Sequence, residues 1–206
     1  MYKEVISSEE ELRAIIGSPS KRVMEKSIDY VDDNSKLFIS KSPFICIASS
    51  DGQGNHDVSP KGDPAGFVKV LDKKTLAIPD RLGNRRMDTF ANLLKHPGIG
   101  LIFFIPGIRE TLRVNGRAKI VADQALREEL AYEGKLPQLV LIVHIEEVFI
   151  HCAKCIMRSK LWGEVAQEQI ADVPSLGKFL KDMGKVEETV EEFDAHLEKI
   201  YKDTMY

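Results

Sequence analysis

The segment Ile78-Pro79-Asp80-Arg81-Leu82-Gly83-Asn84-Arg85-Arg86 holds the densest potential chemistry in the chain, with three arginines, a carboxylate and an amide between an expected strand and an expected helix. Arginine's planar fork suits bidentate contact with phosphate, and a helix N-terminus adds free N–H groups and positive partial charge. Asn84 stands where it would cap that helix. Arg81, Arg85 and Arg86 have the wrong sign for that end, each opposing the helix dipole by roughly 0.3–1 kcal/mol when exposed. A bound anion would reverse the penalty. A solvated loop, its charge largely balanced by Asp80 and Asp88, explains the same residues, and on their own they leave both readings open.

A second cluster, Ser59-Pro60-Lys61-Gly62-Asp63-Pro64, closes an expected strand. Its prolines and glycine would hold a hydroxyl, an ammonium and a carboxylate close together, either against a polar ligand ring or as an ordinary polar loop. Cys152-Ala153-Lys154-Cys155 has the spacing of a thiol redox pair or half a zinc site. No βαβ pattern surrounds it, and zinc would need two further ligands. Both cysteines are therefore expected to act as small buried hydrophobes. His144, set in an apolar run, is expected to be a hydrogen-bonded core histidine. Gly52-Gln53-Gly54 lacks the third glycine and the helix of a dinucleotide fingerprint. Walker A, His-Glu-x-x-His and G-x-S-x-G sequences are missing.

The elements that must position these groups follow from periodicity. Ser8 and Glu11 form a capping box ahead of Leu12, Ile15 and Ile16, which predicts a first helix ending at Gly17. A second helical stretch is expected over 21–30, with strand chemistry from Phe38 onward. Phe44 to Ala48, a glycine-rich turn, and His56 to Ser59 read as a hairpin. Short strands follow at 66–71 and 75–78. Met87, Phe90, Leu93 and Leu94 recur at helical spacing between Arg85 and His96. Strands are expected at 99–105, 111–121 and 138–151, with a short helix over 122–131. Val190, Phe193, Leu197 and Ile200 make one apolar face of a final helix, suited to covering the barrel or a partner. Six or seven strands with one inserted helix suggest an antiparallel barrel, because helices do not alternate regularly with strands. One domain is expected over 1–206, with its core at 38–162, helices at 8–30 and a helical tail at 175–203.

The 206 residues include 29 basic and 32 acidic side chains, giving a formal charge of −3, with 43% hydrophobic and 30% charged residues. Those values fit a folded globular protein and argue against disorder or a general nucleic-acid binder. No apolar run approaches the roughly 20 residues needed to cross a bilayer. The N-terminus is acidic and amphipathic rather than a cationic signal peptide. A cytoplasmic location is expected, without membrane or nucleic-acid partners and without a metal.

Taken in order, Ser59 to Pro64, Leu76-Ala77-Ile78-Pro79-Asp80-Arg81-Leu82-Gly83-Asn84, and Asn92-Leu93-Leu94-Lys95-His96-Pro97 resemble the FMN-binding split-barrel family related to pyridoxamine 5′-phosphate oxidase. Glu110 to Ala118 and His151 to Trp162 resemble a subgroup of it, so the likeness runs from about Phe38 to Trp162. The resemblance implies a mainly β fold, a six-stranded antiparallel split barrel with added helices, forming a homodimer with one FMN per subunit at the dimer interface. It implies that Asn84, Arg85 and Arg86 hold the FMN phosphate with Arg81 nearby, and that Asn92 reaches the same group. Ser59 and Lys61 would lie along the flavin and ribityl chain, with Ile78 and Asp80 in the same cofactor-binding stretch. Thr111 would approach from the next hairpin, and Arg158, Ser159 and Trp162 would serve the partner subunit's site. The arginine-rich substrate motif of the vitamin-forming oxidases is missing, so pyridoxal phosphate is not implied as substrate. The expected function is an FMN-dependent oxidoreductase using a reduced nicotinamide or another small organic molecule, with no acid or base residue assigned. A non-catalytic flavin-binding or storage protein is the alternative, and a thiol or zinc protein built on Cys152 and Cys155 is a third.

Overall fold

Alternation of apolar and polar side chains builds the strands. The computed structural model describes residues 2–164 and 170–206. Along β1 (Phe44–Ser50), β5 (Gly98–Phe104) and most of β6 (Thr111–Val121) every second residue points inward, and β7 (Val140–His151) keeps that alternation from Leu141 to Ile145. Ile45, Ile47, Leu101, Phe103, Val114 and Val143 are all essentially without exposure. With β2 (His56–Gly62), β3 (Lys69–Asp72) and β4 (Thr75–Pro79), they form one antiparallel sheet of order β2-β1-β5-β6-β7-β4-β3. The seventh strand is the short edge partner β3, one more than the six the resemblance implies. This is the expected split-barrel class, mainly β with added helices.

The β6–β7 ladder is the longest, and its register shifts between Asn115 and Gly116. A Cβ on Gly116 would lie 2.0 Å from the His144 carbonyl oxygen, so only glycine admits this approach. His144 itself is exposed, which overturns the expected core histidine. Its neighbours Val143 and Ile145 are buried because strand period places them on the opposite face.

Helices cover the barrel unevenly. α1 (Glu9–Ile16) is capped by Ser8, whose side chain accepts from Glu11 N, but it buries no residue. α2 is only Lys21–Glu25, and α3 spans Asp33–Lys41, capped by the Asp32 carboxylate accepting from Ser35 N. The expected helix to Tyr30 and the strand from Phe38 are corrected accordingly, since Ile39 is buried from a helix rather than a strand. α4 (Asp88–Lys95) packs Phe90 and Leu93 against β1, β2 and β6. α5 (Gln124–Glu129) and α6 (Lys154–Ser159) are short. α8 (Val190–Asp203) packs on α7 (Leu176–Asp182) without fully burying a residue of its own. Among the described residues, no helix is long and apolar enough to cross a membrane.

Candidate functional site

The chain leaves β4 at buried Pro79 and enters α4 at Asp88, and the loop between them forms one wall of a cleft of about 320 Å³. Asp80 is fixed by its N–H donating to Leu139 O at 2.9 Å. Farther along, Arg85 (φ 60°) and Met87 (φ 59°) both take left-handed backbone conformations. Each costs on the order of 1 kcal/mol or more for a residue with a Cβ, and such strain clusters at ligand sites. The sequence predicts Asn84 as the cap of α4, and the structure corrects this. Met87 occupies the cap position without a side-chain cap bond, while Asn84 Oδ1 accepts from Arg86 N at 3.1 Å and shapes the loop.

The facing wall is β2, where period two brings Asp57, Ser59 and Lys61 onto one side. Asp57 Oδ2 accepts from Thr89 Oγ1 at 2.6 Å and Ser59 Oγ at 3.2 Å, tying β2 to the first turn of α4. The cleft is completed by the loop Lys135 to Gln138 and by Tyr206.

Charge in the cleft is arranged around one buried support. Arg81 Nε pairs with Asp63 Oδ2 at 2.6 Å, and the Asp63 side chain is only 1% exposed. The other oxygen of Asp63 accepts from the Tyr206 hydroxyl at 2.9 Å, a bond that pushes the Tyr206 phenol up to about 12. Arg86 Nε pairs with Asp88 Oδ2 at 2.7 Å in a mostly exposed contact. Lys61 and Arg85 form no ion pair among the described residues. Burial pushes the Asp80 carboxyl up from its ordinary range, and Lys61 opposes that shift. Lys61, Arg81, Arg85, Arg86 and Lys135 thus outnumber Asp57, Asp80 and Asp88 along the lining. The cleft favours an anion.

Of the residues expected from sequence, Ser59, Lys61, Asp80, Arg81, Asn84, Arg85 and Arg86 meet in this cleft. The others lie elsewhere. Ile78 is 2% exposed in the barrel core. Asn92 donates from Nδ2 to Ser49 Oγ at 3.2 Å, linking α4 to β1. Thr111 is buried opposite His151 in the β6–β7 ladder. Arg158 and Ser159 sit on α6, with Ser159 Oγ donating to Ile156 O. Trp162 lines a separate depression with Gly107, Arg109, Met157 and Lys160, and its Nε1 donates to Ile108 O at 2.7 Å. Cys152 and Cys155 are both exposed, so they are not the buried hydrophobes expected. Among the described residues, no cluster of three metal-ligating side chains occurs.

Residues 31–152 match the family model described as pyridoxamine 5′-phosphate oxidase. The chain belongs to the pyridoxamine 5′-phosphate oxidase family. The matched span holds all seven strands and the cleft except Tyr206. Among solved structures, the chain resembles HupZ from Group A Streptococcus at 20% identity, covering 58% of this chain and 93% of that one, with a TM-score of 0.49. It also resembles a putative pyridoxamine 5′-phosphate oxidase from Lactobacillus delbrueckii at 20% identity, covering 59% and 95%, with a TM-score of 0.48. An FMN-binding protein from Syntrophomonas wolfei matches at 14% identity over 69% and 93%, with a TM-score of 0.44. No curated protein matches the chain.

Sequence reasoning missed Asp57, Thr89, Lys135 and Tyr206 as members of this site. Asp57 was within reach, since it lies two residues before Ser59 on the same strand face. Tyr206 carried no local signal.

Proposed function

We propose that this chain is an FMN-binding oxidoreductase acting on a small organic molecule or a reduced nicotinamide, and that it works as a homodimer. The observation that carries this reading is the convergence of Lys61, Arg81, Asn84, Arg85 and Arg86 on one cleft with a surplus of cations. A phosphate dianion fits that set. It supplies the counter-charge that Lys61 and Arg85 otherwise lack within the described residues, and its contacts can offset the strain at Arg85 and Met87. A flat ring fits beside it, because Leu82, Leu136, Pro137 and Phe90 supply apolar lining. Bound flavin supplies hydride or electron transfer, while the protein contributes binding, orientation and local electrostatics. In this reading Arg85 and Arg86 hold the phosphate, and Ser59 and Lys61 lie along the remainder of the cofactor.

The homodimer is supported by the outer face of β2, β1 and β5. Register aligns Val58 with Ala48 and Gly100, Pro60 with Cys46 and Ile102, and Gly62 with Phe44 and Phe104. Val58 is 66% exposed and Phe44 39%, an apolar face suited to two-fold pairing. Arg158, Ser159 and Trp162 would then serve the neighbouring subunit's site.

The test is direct. Purified protein should be yellow, and denaturation followed by chromatography should release FMN rather than FAD. Colourless protein that also fails to take up added FMN overturns the reading. Repeated reoxidation with a donor and acceptor pair separates an enzyme from a carrier that only binds.

A further inference from the structure

Tyr206 follows α8, far from the cleft in sequence, yet its side chain reaches the most buried charge there. Three independent contacts hold it. Its hydroxyl donates to Asp63 Oδ1 at 2.9 Å, its ring lies 4.8 Å from the Tyr132 ring, and Lys135 Nζ donates to its main-chain oxygen. The receiving surface is itself well built. Tyr132 and Lys135 exchange both main-chain hydrogen bonds, at 3.0 and 2.9 Å, across a turn whose central residues Glu133 and Gly134 have φ of 48° and 76°. Positive φ at both central positions makes a tight primed turn, which places the Tyr132 and Lys135 side chains at a fixed separation. Arg127 Nε donates to Pro137 O at 2.7 Å and anchors the loop that follows.

The cleft remains open at about 320 Å³ with Tyr206 in place, so this residue forms a wall and not a plug. Asp63 is shared, with one oxygen serving Arg81 and the other serving Tyr206. We propose that Tyr206 is a positioning residue that straps the segment after α8 across the cleft, so that a phosphate-bearing planar ligand is retained by the docked strap and leaves when the strap lifts. The ligand rests on the flavin reading above; the strap rests on the contacts just described. Through Asp63, the strap also fixes the orientation of Arg81 toward the cleft. Arg81 lies 6.0 Å from the Tyr132 ring on which Tyr206 packs, and Lys135 donates to Tyr206 from the turn, so both cations reinforce the docked state.

The experiment compares the full-length chain with Tyr206→Phe, which removes only the hydroxyl, and Tyr206→Ala, which also removes the ring. FMN release is followed by recovery of flavin fluorescence, and hydrogen exchange is read over 132–138 and 200–206 with and without FMN. Release is expected to quicken about threefold to tenfold in Tyr206→Phe and further in Tyr206→Ala, with association nearly unchanged. Exchange in both segments should rise in the variants and fall when FMN binds the wild type. Equal release rates in all three proteins overturn the proposal. So does faster exchange of 200–206 on FMN binding, which would mean that ligand expels the strap. If none of the proteins takes up FMN, the cofactor assignment fails by itself. The strap is then judged on the ligand-free exchange, and identical protection in wild type and Tyr206→Phe overturns it.

Discussion

The cleft between β4 and α4 and the depression beneath the β5–β6 loop both gather cations beside an apolar side chain, but they are finished to different degrees. In the cleft, Arg81 is 17% exposed and is held by the buried Asp63 carboxylate, which also accepts from Tyr206, while Asp57 accepts from Thr89 and Ser59. In the depression, Arg109 and Lys160 are exposed, Met157 is 55% exposed and Trp162 37%. Among the described residues, no carboxylate lines it. A site whose charges are oriented by buried partners is preorganised within its own chain. An open surface of cations and apolar side chains is the form expected of a region completed by another molecule, here proposed to be the second subunit.

The largest separation between the two regions should appear in stability. Asp63→Ala strands Arg81 without its partner and removes the Tyr206 acceptor, so it should cost about 2–4 kcal/mol in denaturant unfolding. Arg109→Ala should change stability by less than about 0.5 kcal/mol, as for an ordinary surface substitution. Comparable losses would mean that the depression is as tightly built as the cleft. Next in size is ligand affinity. Arg86→Ala should weaken FMN binding about tenfold to a hundredfold in a fluorescence titration, because a charge-assisted phosphate contact is lost. Lys73→Ala, in the turn between β3 and β4, should leave affinity unchanged, and equal weakening by both would move the phosphate site elsewhere.

The contrast also explains what could be read from the chain. Residues close in sequence at a strand–helix junction share a site by local geometry, which is why Asp80 to Arg86 were legible as a group. The strands were legible because burial on one face enforces period two. A short apolar stretch does not fix a period, and the chain from Phe38 onward was therefore misread as strand although Phe38 and Ile39 lie in α3. The better signal was Asp32 with Ser35, a capping carboxylate and the N–H that donates to it. His144 was misjudged by its apolar neighbours instead of its parity on β7. Asn84 had cap chemistry, but the left-handed turn at Met87 delays α4 beyond its reach. Asp63 to Tyr206 spans 143 residues, and no local pattern encodes such a contact.

Mixing variants gives a sharper test of whether the two regions serve one site across subunits. Arg86→Ala damages the cleft, and Trp162→Ala damages the depression by removing both the ring and its bond to Ile108 O. If each flavin site joins the cleft of one chain to the depression of the other, a mixed dimer holds one intact site and one doubly damaged site. Partial recovery of tight FMN binding, approaching half of the sites within mixed dimers, is expected after co-refolding. Light scattering should show a dimer. If both regions act within one chain, the mixture binds no better than the average of its parents.

The smallest expected effect concerns Asp80, and it distinguishes the regions by pH. Burial raises the Asp80 carboxyl above its ordinary range of about 4, so the folded protein holds that proton more tightly than the unfolded chain does. A raised carboxyl adds stability that is fully present below the unfolded value and is lost as pH rises through the folded one. At neutral pH, the wild type therefore bears the cost of an ionised, partly desolvated carboxylate, only partly relieved by Lys61. Asp80→Asn removes that ionisation. It should raise the melting temperature of the ligand-free protein by roughly 1–3 °C at pH 7, with the gain fading as pH falls through the raised folded value and gone below about 4, where the wild-type carboxyl is protonated in both states. Lys61→Met should act in the opposite direction at pH 7, because it withdraws the cation that favours the ionised form. Arg109→Ala should show no such acid-range profile, since no carboxylate lines its depression among the described residues. A gain for Asp80→Asn that stays constant from pH 3 to pH 7 would assign the effect to packing and not to the buried charge.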